Sequence, residues 1–387
     1  MYTIGSDNIK WIYRYLADSN SMCITAASGY GEEVTIPNTL PYNGQDVDVT
    51  HIEGYVFNNT NVTSVTLPTT LISIGNGAFG YCRALTSIEI PASVTTIGVD
   101  AFHSCTSLGA VIFEANTALQ IIGNGAFMSC ALTSIEIPAS VTSIGNYSFH
   151  LCKNLATVAF EENSALLSIG EWAFNDCDAL VSIEIPASVK TLGGDVLSWC
   201  DRLTTVLFED NSAIESIGNY AFYGSRALNN IDLSNVEVIG EGAFLECNFT
   251  SIDLSSATSV GWQAFTANEG EEPLITINNT TPATIASGAF PESAMFLVPG
   301  SATTTYKTAD VWSDYASRIF GRDVAVQTIE VTAQEDGSGV LEAIGNENQT
   351  NIVDLTVKGT INGYDFVMFK DKMLNLRFLD LSEAKIV

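Results

Sequence analysis

Apolar residues recur along most of the chain with a period of 23 to 25 residues. The segment LTSIEIPASV begins at Leu85 and again at Leu132, and VSIEIPASV begins at Val181. The same apolar pattern places seven unit starts at Leu85, Leu108, Leu132, Leu155, Leu180, Leu203 and Leu228. A fixed period of this length is typical of a solenoid, in which each unit stacks on the next because it cannot bury its apolar face alone.

Each unit predicts a short strand, a sharp turn and a short helical segment. Ile88 and Ile90 have the two-residue spacing of a strand with one buried face. Pro91 ends that strand because proline has no N–H to donate to a ladder. Gly98 is expected to turn the chain at positive φ, and residues 99–105 are expected to form one turn of α- or 3₁₀-helix. The sequence therefore predicts an α/β repeat solenoid, with one phenylalanine per unit aligned in a spine.

The segment LTSIEIPASVTTIGVDAFHSC closely resembles the BspA-type, or Treponema-type, leucine-rich repeat. The resemblance covers residues 22–320 and is specific, because the motif recurs in tandem. It implies a right-handed coil. Members of that family are typically exported surface proteins of host-associated, Bacteroides-like bacteria, and several are linked to adhesion to host matrix proteins or to other cells. The resemblance therefore implies a secreted or cell-surface protein.

Four segments are expected from where the repeat starts and stops. Residues 1–61 resemble an N-terminal capping hairpin followed by a first atypical repeat, and residues 62–293 hold about ten repeats. Residues 294–322 resemble a capping strand and helix. Residues 323–387 read as strand, helix and strand, and resemble the beginning of a further repeat array. We therefore expect the sequence to be a fragment of a longer protein.

The charge of the chain excludes some classes of partner. With 15 basic and 44 acidic residues the formal net charge is −29, whereas phosphate binding needs clustered Lys and Arg, so nucleic acid is not expected. The sequence has no run of eighteen apolar residues, and we expect no membrane insertion. Its first residues lack the pattern of a signal peptide, so either the protein is cytosolic or a leader has been removed from this sequence. The resemblance favours removal of a leader. The charge opposes self-association and favours a monomer.

Seven of the eight cysteines share one position, three residues after the spine residue: Cys82, Cys105, Cys130, Cys152, Cys177, Cys200 and Cys247. Ser225 takes this position in one unit. Side chains that point the same way in neighbouring units do not converge on a disulfide or a zinc cage, so we expect buried structural thiols. His103 and His150 lie two units apart, about 10 Å, which is too far to share a metal ion. We predict neither a metal site nor a cofactor.

Acidic and apolar residues alternate on the outward strand position. The acids are Glu89, Glu136 and Glu184, and Ile112, Ala159 and Leu207 lie between and after them. Carboxylates about 5–10 Å apart can hydrolyse glycosides, but no Lys, Arg or His accompanies these acids. A solvated ladder is the favoured interpretation, and the three glutamates are kept as candidate binding residues. Acids and asparagines in the loops around 114–116, 161–163 and 209–211 favour Asx turns over calcium sites, since each loop offers few oxygens.

An aromatic deviation supplies the other candidate site. Two residues before the spine position most units carry Gly, Asp or Gln, but three units carry Tyr147, Trp172 and Tyr220, with Asp195 interrupting them. Such rings can stack on sugars or anchor a protein partner. The more ordinary interpretation is that they fill gaps between turns.

These features favour a binding or adhesion module over an enzyme. The expected ligand is a protein or a glycan, with host extracellular-matrix proteins among the candidates. One alternative is a polysaccharide-degrading enzyme of the parallel β-helix kind, for which Asp195, Asp201 and Arg202 are the nearest acid–base cluster. Another alternative is a passive spacer that presents other domains.

Overall fold

The computed structural model describes residues 1–5, 8–266, 273–333, 338–344, 352–373, 375–376 and 378–386. The repeats form a solenoid, as predicted, and it is built from β-strands. The chain divides into two compact units. Unit 1 consists of Met1–Phe249, Ser259–Glu271 and Ala286–Pro291. Unit 2 consists of Thr250–Thr258, Glu272–Ile285 and Glu292–Val387.

Unit 1 begins with three antiparallel strands, Tyr2–Ile4, Lys10–Leu16 and Ser21–Ser28. A hairpin of Thr39–Tyr42 and Gln45–Ile52 follows, and its second strand pairs in parallel with Ser21–Ser28. The buried Trp11 ring meets Phe57 edge-on at 6.3 Å. Trp11 therefore lies against the first ring of the phenylalanine spine.

Each coil has three sides, and residues 85–107 serve as the example that defines them. The front side carries the strand Ser87–Ile90, the back side carries the strand Thr96–Ile97, and the turn side consists of residues 99–105. The back strands of unit 1 pair in parallel in one continuous sheet: Ser73–Ile74, Thr96–Ile97, Ile121–Ile122, Ser143–Ile144, Ser168–Ile169, Thr191–Leu192, Ser216–Ile217, Val238–Ile239 and Ser259–Val260. The predicted front strand is thus confirmed, and a second strand per coil is added to it.

The front strands of unit 1 are divided into separate small sheets. The four sheets are Glu33–Thr35 with Ser64–Thr66, Ser87–Ile90 with Ala110–Phe113, Ser134–Ile137 with Thr157–Phe160, and Ser182–Ile185 with Thr205–Phe208 and Asn230–Ile231. Within each sheet the strands are parallel and in register with the repeat. The ladder is therefore continuous on the back side and interrupted on the front side.

The turn side is not helical, which corrects the helical segment predicted there. From residue 53 to residue 266, the described chain contains no α- or 3₁₀-helix. Two residues of a typical coil have positive φ instead, for example Tyr147 (φ 60°) and Leu151 (φ 60°). Alternate N–H groups consequently point to the next coil: Tyr147 N donates to Glu171 O at 2.9 Å, and Phe149 N to Ala173 O at 2.8 Å. These hydrogen bonds join neighbouring coils, whereas a helix would keep them within one coil.

The glycine before each turn is needed because neighbouring coils approach each other closely there, and not because its φ is unusual. Gly98 is not among the glycines with positive φ, so that expectation was wrong. A Cβ added at Gly98 would lie 2.7 Å from Asn76 Oδ1 and 2.8 Å from Asn76 N. Side-chain and backbone atoms of the preceding coil occupy the space, so only a residue without a Cβ fits.

The predicted phenylalanine spine is confirmed. Its rings stack in two runs, Phe57–Phe79–Phe102–Phe127–Phe149–Phe174 and Phe222–Phe244–Phe265–Phe290, with centroids 5.1–5.6 Å apart and planes within 13°. Leu197 fills the position between the two runs. These ten buried rings add apolar contact between neighbouring coils, which removes apolar surface from water.

The seven repeat cysteines are buried free thiols. Each Sγ donates to the carbonyl of the spine residue in the preceding coil, as Cys152 Sγ does to Phe127 O at 3.2 Å. Ser225 Oγ makes the equivalent bond to Leu197 O at 2.7 Å. Burial raises the pKa of the Cys152 thiol to about 12. The same carbonyls also accept a backbone N–H, as Phe127 O does from Cys130 N at 3.2 Å. The position therefore holds a small side chain whose own donor is paired in the interior, because a buried donor without a partner costs free energy.

Unit 2 contains a parallel sheet of Ser251–Asp253, Leu274–Thr276, Met295–Val298 and Ile319–Gly321, and it also includes the short strand Thr284–Ile285. Its helical segments up to residue 325 are Gly300–Ala302, Thr303–Thr308, Trp312–Arg318 and Arg322–Ala325. Tyr306 and Trp312 project inward from them and are buried. Tyr306 Oη donates to Asn279 O at 3.0 Å, and Trp312 Nε1 donates to Ala283 O at 2.8 Å.

The last segment has a core of its own. Strands Val326–Val331, Asp354–Ile361 and Phe378–Ile386 form a parallel sheet, and helices Ser338–Ile344 and Gly363–Lys372 accompany it. The predicted strand, helix and strand of this segment are present. Its cluster of buried side chains includes Ile329, Val340, Leu355 and Phe369. None of the helices in the described part of the chain is long and apolar enough to span a bilayer.

Candidate functional site

The turn side places one outward residue per coil in a column, two residues before the spine. We call it the turn column. Over four successive coils it holds Tyr147, Trp172, Asp195 and Tyr220, with φ of 60°, 59°, 52° and 56°. Gly125 and Gly242 occupy the same position in the flanking coils, at φ of 61° and 58°. Glycine adopts this left-handed conformation at little cost, whereas other residues pay about 1–2 kcal/mol each.

Tyr147 and Trp172 are brought together. Their ring centroids are 6.0 Å apart and their planes are within 15°. His150 contacts both edge-on, at 5.8 Å from Tyr147 and 6.2 Å from Trp172. Tyr147 remains 40% exposed, while Trp172 is half-buried. The sequence identified the two rings, and the structure adds the histidine to their cluster.

Tyr220 lies in a second aromatic cluster. Its ring meets Tyr223 edge-on at 6.0 Å, and Tyr223 meets Trp199 edge-on at 4.8 Å. The Arg226 guanidinium lies 5.8 Å from the centroid of Trp199. Trp199 and Tyr223 were not predicted, because neither residue occupies the repeat position at which the other rings stand out. The position directly before the repeat cysteine also has positive φ, and Trp199 occupies it.

A buried polar network lies within these coils. Ser198 Oγ donates to Asp195 O at 3.0 Å and contacts Asp195 Oδ1 at 3.4 Å. The fully buried Asn175 donates from Nδ2 to Ser198 Oγ at 2.5 Å. Two buried atoms, His150 Nδ1 and Asn175 Oδ1, have no hydrogen-bond partner among the described residues. Hydrogen bonds thus link the carboxylate of Asp195 to Ser198 and, in the preceding coil, to the buried Asn175.

Burial raises the pKa of Asp195 to about 6; the Ser198 hydroxyl opposes the shift, and the Glu171 carboxylate adds to it. A second acid contacts the rings, because Tyr220 Oη donates to Glu241 Oε1 at 2.5 Å. Tyr220 is therefore flanked by carboxylates from the two neighbouring coils, those of Asp195 and Glu241. Aromatic faces next to acids can receive a sugar ring or a basic side chain.

We expect Asp195→Asn to stabilise the protein at pH 7 and to have little effect at pH 4. The pKa of Asp195 is raised above its ordinary value of 3.8, so the folded state holds this proton at pH values where the unfolded state has lost it. The stability contributed by Asp195 therefore falls as pH rises from about 4 to about 6. Asparagine carries no charge and tolerates positive φ. Urea unfolding of both proteins at both pH values measures the difference, and equal stabilisation at pH 4 would contradict the prediction.

The candidate acids Glu89, Glu136 and Glu184 are exposed on the front side, away from the rings of the turn side. In register they pair with Ile112, Ala159 and Leu207. Each acid belongs to a different front sheet. The ion pairs found among the described residues involve other carboxylates. The three acids are thus spread along the front side rather than gathered at one centre.

The other acids singled out in the sequence have local partners. Oε2 of Glu114, Glu161 and Glu209 accepts the N–H of Ala92, Ala139 and Ala187, respectively, each at 2.9 Å. The loop asparagines Asn116, Asn163 and Asn211 have φ between 57° and 60°. These loops are turns stabilised by side chains. Asp201 and Arg202 are exposed, whereas Asp195 belongs to the buried network with Ser198.

Comparison with known families identifies the repeat. Residues 34–156, 120–235 and 211–298 match the BspA-type leucine-rich-repeat region, in six copies. The chain belongs to this family. The family consists of leucine-rich-repeat proteins that are generally of the protein-binding type, and no enzyme family is indicated. None of the functionally curated proteins matches the sequence of this chain significantly.

Solved structures share the fold at low identity. The pneumococcal vaccine antigen PcpA is 15% identical with a TM-score of 0.50, over 98% of both chains. A leucine-rich cell surface protein of Faecalibacterium prausnitzii is 22% identical over 83% of this chain and 94% of the other, with a TM-score of 0.42. A leucine-rich-repeat protein of Bacteroides ovatus is 20% identical over 97% and 98%, with a TM-score of 0.43. At these identities the likeness concerns the fold alone.

Proposed function

We propose that this protein is a secreted or cell-surface binding module and that its partner contacts the turn side at Tyr147, Trp172, Asp195 and Tyr220. The observation that carries the proposal is the run of four successive non-glycine residues in the turn column. Glycine fits this left-handed position and occupies it in both flanking coils. Backbone strain that glycine would relieve is concentrated at functional sites more often than elsewhere.

The side chains in this run have the chemistry of a recognition surface. Tyr and Trp are the residues most enriched among the dominant contacts of protein interfaces, since they bury much area at low entropic cost. Tyr147 and Trp172 present stacked rings, and Glu241 holds the hydroxyl of Tyr220. The same rings can stack on a pyranose, so a protein and a glycan are both ligand classes for this surface. The family to which the chain belongs is consistent with export and adhesion.

The proposal is tested with a triple variant, Tyr147→Gly, Trp172→Gly and Tyr220→Gly. Wild-type protein is first applied to an array of matrix proteins and glycans to obtain a ligand. We expect the triple variant to bind that ligand at least about thirtyfold more weakly, the effect of losing about 2 kcal/mol at a dominant contact. Its unfolding free energy should stay within about 2 kcal/mol of wild type, because glycine relieves left-handed strain while ring contacts are lost.

Tyr55→Gly provides the matched control. Tyr55 also lies in the turn column at positive φ (64°) and is exposed, but it is outside the four-coil run. Its replacement should leave binding unchanged. If the triple variant unfolds, the rings are structural and the site is wrong. If the variant binds as wild type does, the partner contacts another side of the coil. A wild-type protein that binds nothing on such arrays would favour the spacer alternative.

A further inference from the structure

The front side has a cavity where two of its small sheets meet. The strand Thr157–Phe160 belongs to one sheet, and the next front strand, Ser182–Ile185, belongs to another. A cavity of about 300 Å³ opens between them. That volume is at the lower end of the range for small-ligand pockets. The back strands of the same coils, Ser168–Ile169 and Thr191–Leu192, remain paired, so the opening is confined to the front side.

The side chain of Ala159 leaves this space free. The equivalent front positions of two other coils hold Ile112 and Leu207, which are 54% and 48% exposed. At the preceding break, between Ala110–Phe113 and Ser134–Ile137, the large Ile112 stands where Ala159 stands at this one. The repeat thus supplies a natural comparison in which the same break carries a bulky side chain.

The walls of the cavity combine an apolar surface with carboxylates. Ala159 and Leu207 provide exposed apolar lining, and Glu184 and Glu209 provide the acids. Ile183 also lines the cavity, but its side chain points inward and is buried. Glu209 already accepts the N–H of Ala187 through Oε2, which leaves its other oxygen for a ligand. Glu184 is exposed and takes part in none of the ion pairs found among the described residues. No Lys, Arg or His lines the cavity.

We propose that this cavity binds an arginine side chain of a partner protein, with the methylene stem against Ala159 and Leu207 and the guanidinium between Glu184 and Glu209. Arginine combines an apolar stem with a planar, weakly hydrated cation that donates up to five hydrogen bonds. The chain's net charge of −29 attracts a basic partner and speeds its encounter. The inference rests on the proposed binding function and specifies one chemical feature of the partner.

The test uses a small probe, so it does not require the partner. The 387-residue protein, labelled at Ala, Ile and Leu methyl groups, is titrated by NMR with N-acetyl-arginine N-methylamide. The neutral isostere N-acetyl-citrulline N-methylamide is titrated in parallel. We expect saturable shifts of the Ala159, Ile183 and Leu207 methyls with the arginine probe, with a dissociation constant of roughly 1 mM, equivalent to about −4 kcal/mol. The citrulline probe should give no saturable shift.

Two variants and one matched control locate the site. Ala159→Ile introduces the side chain found at the preceding break and should abolish the shifts of Ile183 and Leu207. Glu184→Gln keeps the shape of the site and should weaken binding at least about fivefold, as expected for losing a charge-assisted hydrogen bond. Glu136→Gln changes the equivalent acid one front sheet earlier and should leave binding unchanged.

The outcomes separate this inference from the proposed function. Equal binding of the citrulline probe, or unchanged binding to the Ala159→Ile protein, overturns the arginine site and leaves the turn-side proposal intact. The triple glycine variant should bind the arginine probe as wild type does, because its substitutions lie on another side of the coil. If it loses the probe as well, the front-side site is not independent of the rings and the inference fails.

Discussion

Replacing Gly193 with alanine is expected to destabilise unit 1 strongly. A Cβ at this residue would lie 2.6 Å from Glu171 N, 2.6 Å from Gly170 C and 2.7 Å from Gly170 O. All three are backbone atoms of the preceding coil, and they cannot move without breaking the ladder between coils. Overpacking of a core costs about 1–3 kcal/mol and occasionally more, and backbone atoms have the least freedom to adjust. We therefore expect Gly193→Ala to lower the free energy of unfolding by about 3 kcal/mol or more.

The adjacent residue supplies the control for this substitution. A Cβ at Gly194 would approach no atom closer than 3.2 Å, namely Asn219 O. Gly194→Ala should therefore change the unfolding free energy by less than about 1 kcal/mol. Urea unfolding of both variants, followed by circular dichroism, makes the comparison. If the two alanines destabilise the protein equally, coil spacing is adjustable and close backbone stacking does not select the glycine.

The strands and the spine could be predicted from the sequence because their signals are local and repeated. Alternation at Ile88 and Ile90 fixes the inward face of a front strand, and one phenylalanine per period fixes the spine. The turn side could not be predicted in the same way. A segment such as VDAFHSC has apolar spacing that fits one helical turn. What selects two left-handed residues instead is hydrogen bonding to the next coil, as between Tyr147 N and Glu171 O.

A sign of the left-handed positions is nevertheless present in the sequence. In the eleven coils from Tyr55 to Gly288, the turn column holds no valine, isoleucine or threonine. Branching at Cβ makes positive φ especially costly. A period of 23 to 25 residues that excludes β-branched side chains at one outward position indicates a backbone constraint there. A tyrosine or tryptophan in that column therefore strains the backbone and is not a neutral surface residue.

Only part of the candidate site could be predicted. Tyr147 and Trp172 were found because they break the repeat at one position, and they do stack. The other members of the site could not be predicted, because they depend on which positions neighbouring coils bring together. These members are His150 and the network of Asp195, Ser198 and Asn175. The front-side cavity depends on a break in strand pairing beside Ala159. Neither the pairing nor the break has a local signal, since the front strands on both sides of it have the same alternating pattern.

Removal of residues 300–387 is expected to damage the protein far more than removal of residues 323–387. Tyr306 and Trp312 are buried in unit 2, and their ring centroids are 5.1 Å apart. Their hydrogen bonds cover the carbonyls of Asn279, Thr281 and Ala283. Removing a buried aromatic side chain costs about 3–5 kcal/mol, and the end of a repeat array must be capped. A chain ending at Pro299 loses both rings and uncovers these carbonyls.

A chain ending at Arg322 keeps those caps. It loses Val353, which packs in one cluster with Leu274, Leu297 and Phe320. Burying one valine is worth about 1.5–3 kcal/mol, so this truncation should lower the melting temperature of unit 2 modestly without causing aggregation. The 1–299 chain should melt earlier, bind a hydrophobic dye and aggregate. Thermal scans with light scattering compare the three lengths. If 1–322 aggregates as readily as 1–299, the last segment stabilises the end of the array as much as Tyr306 and Trp312 do, and the boundary proposed at residue 322 is wrong.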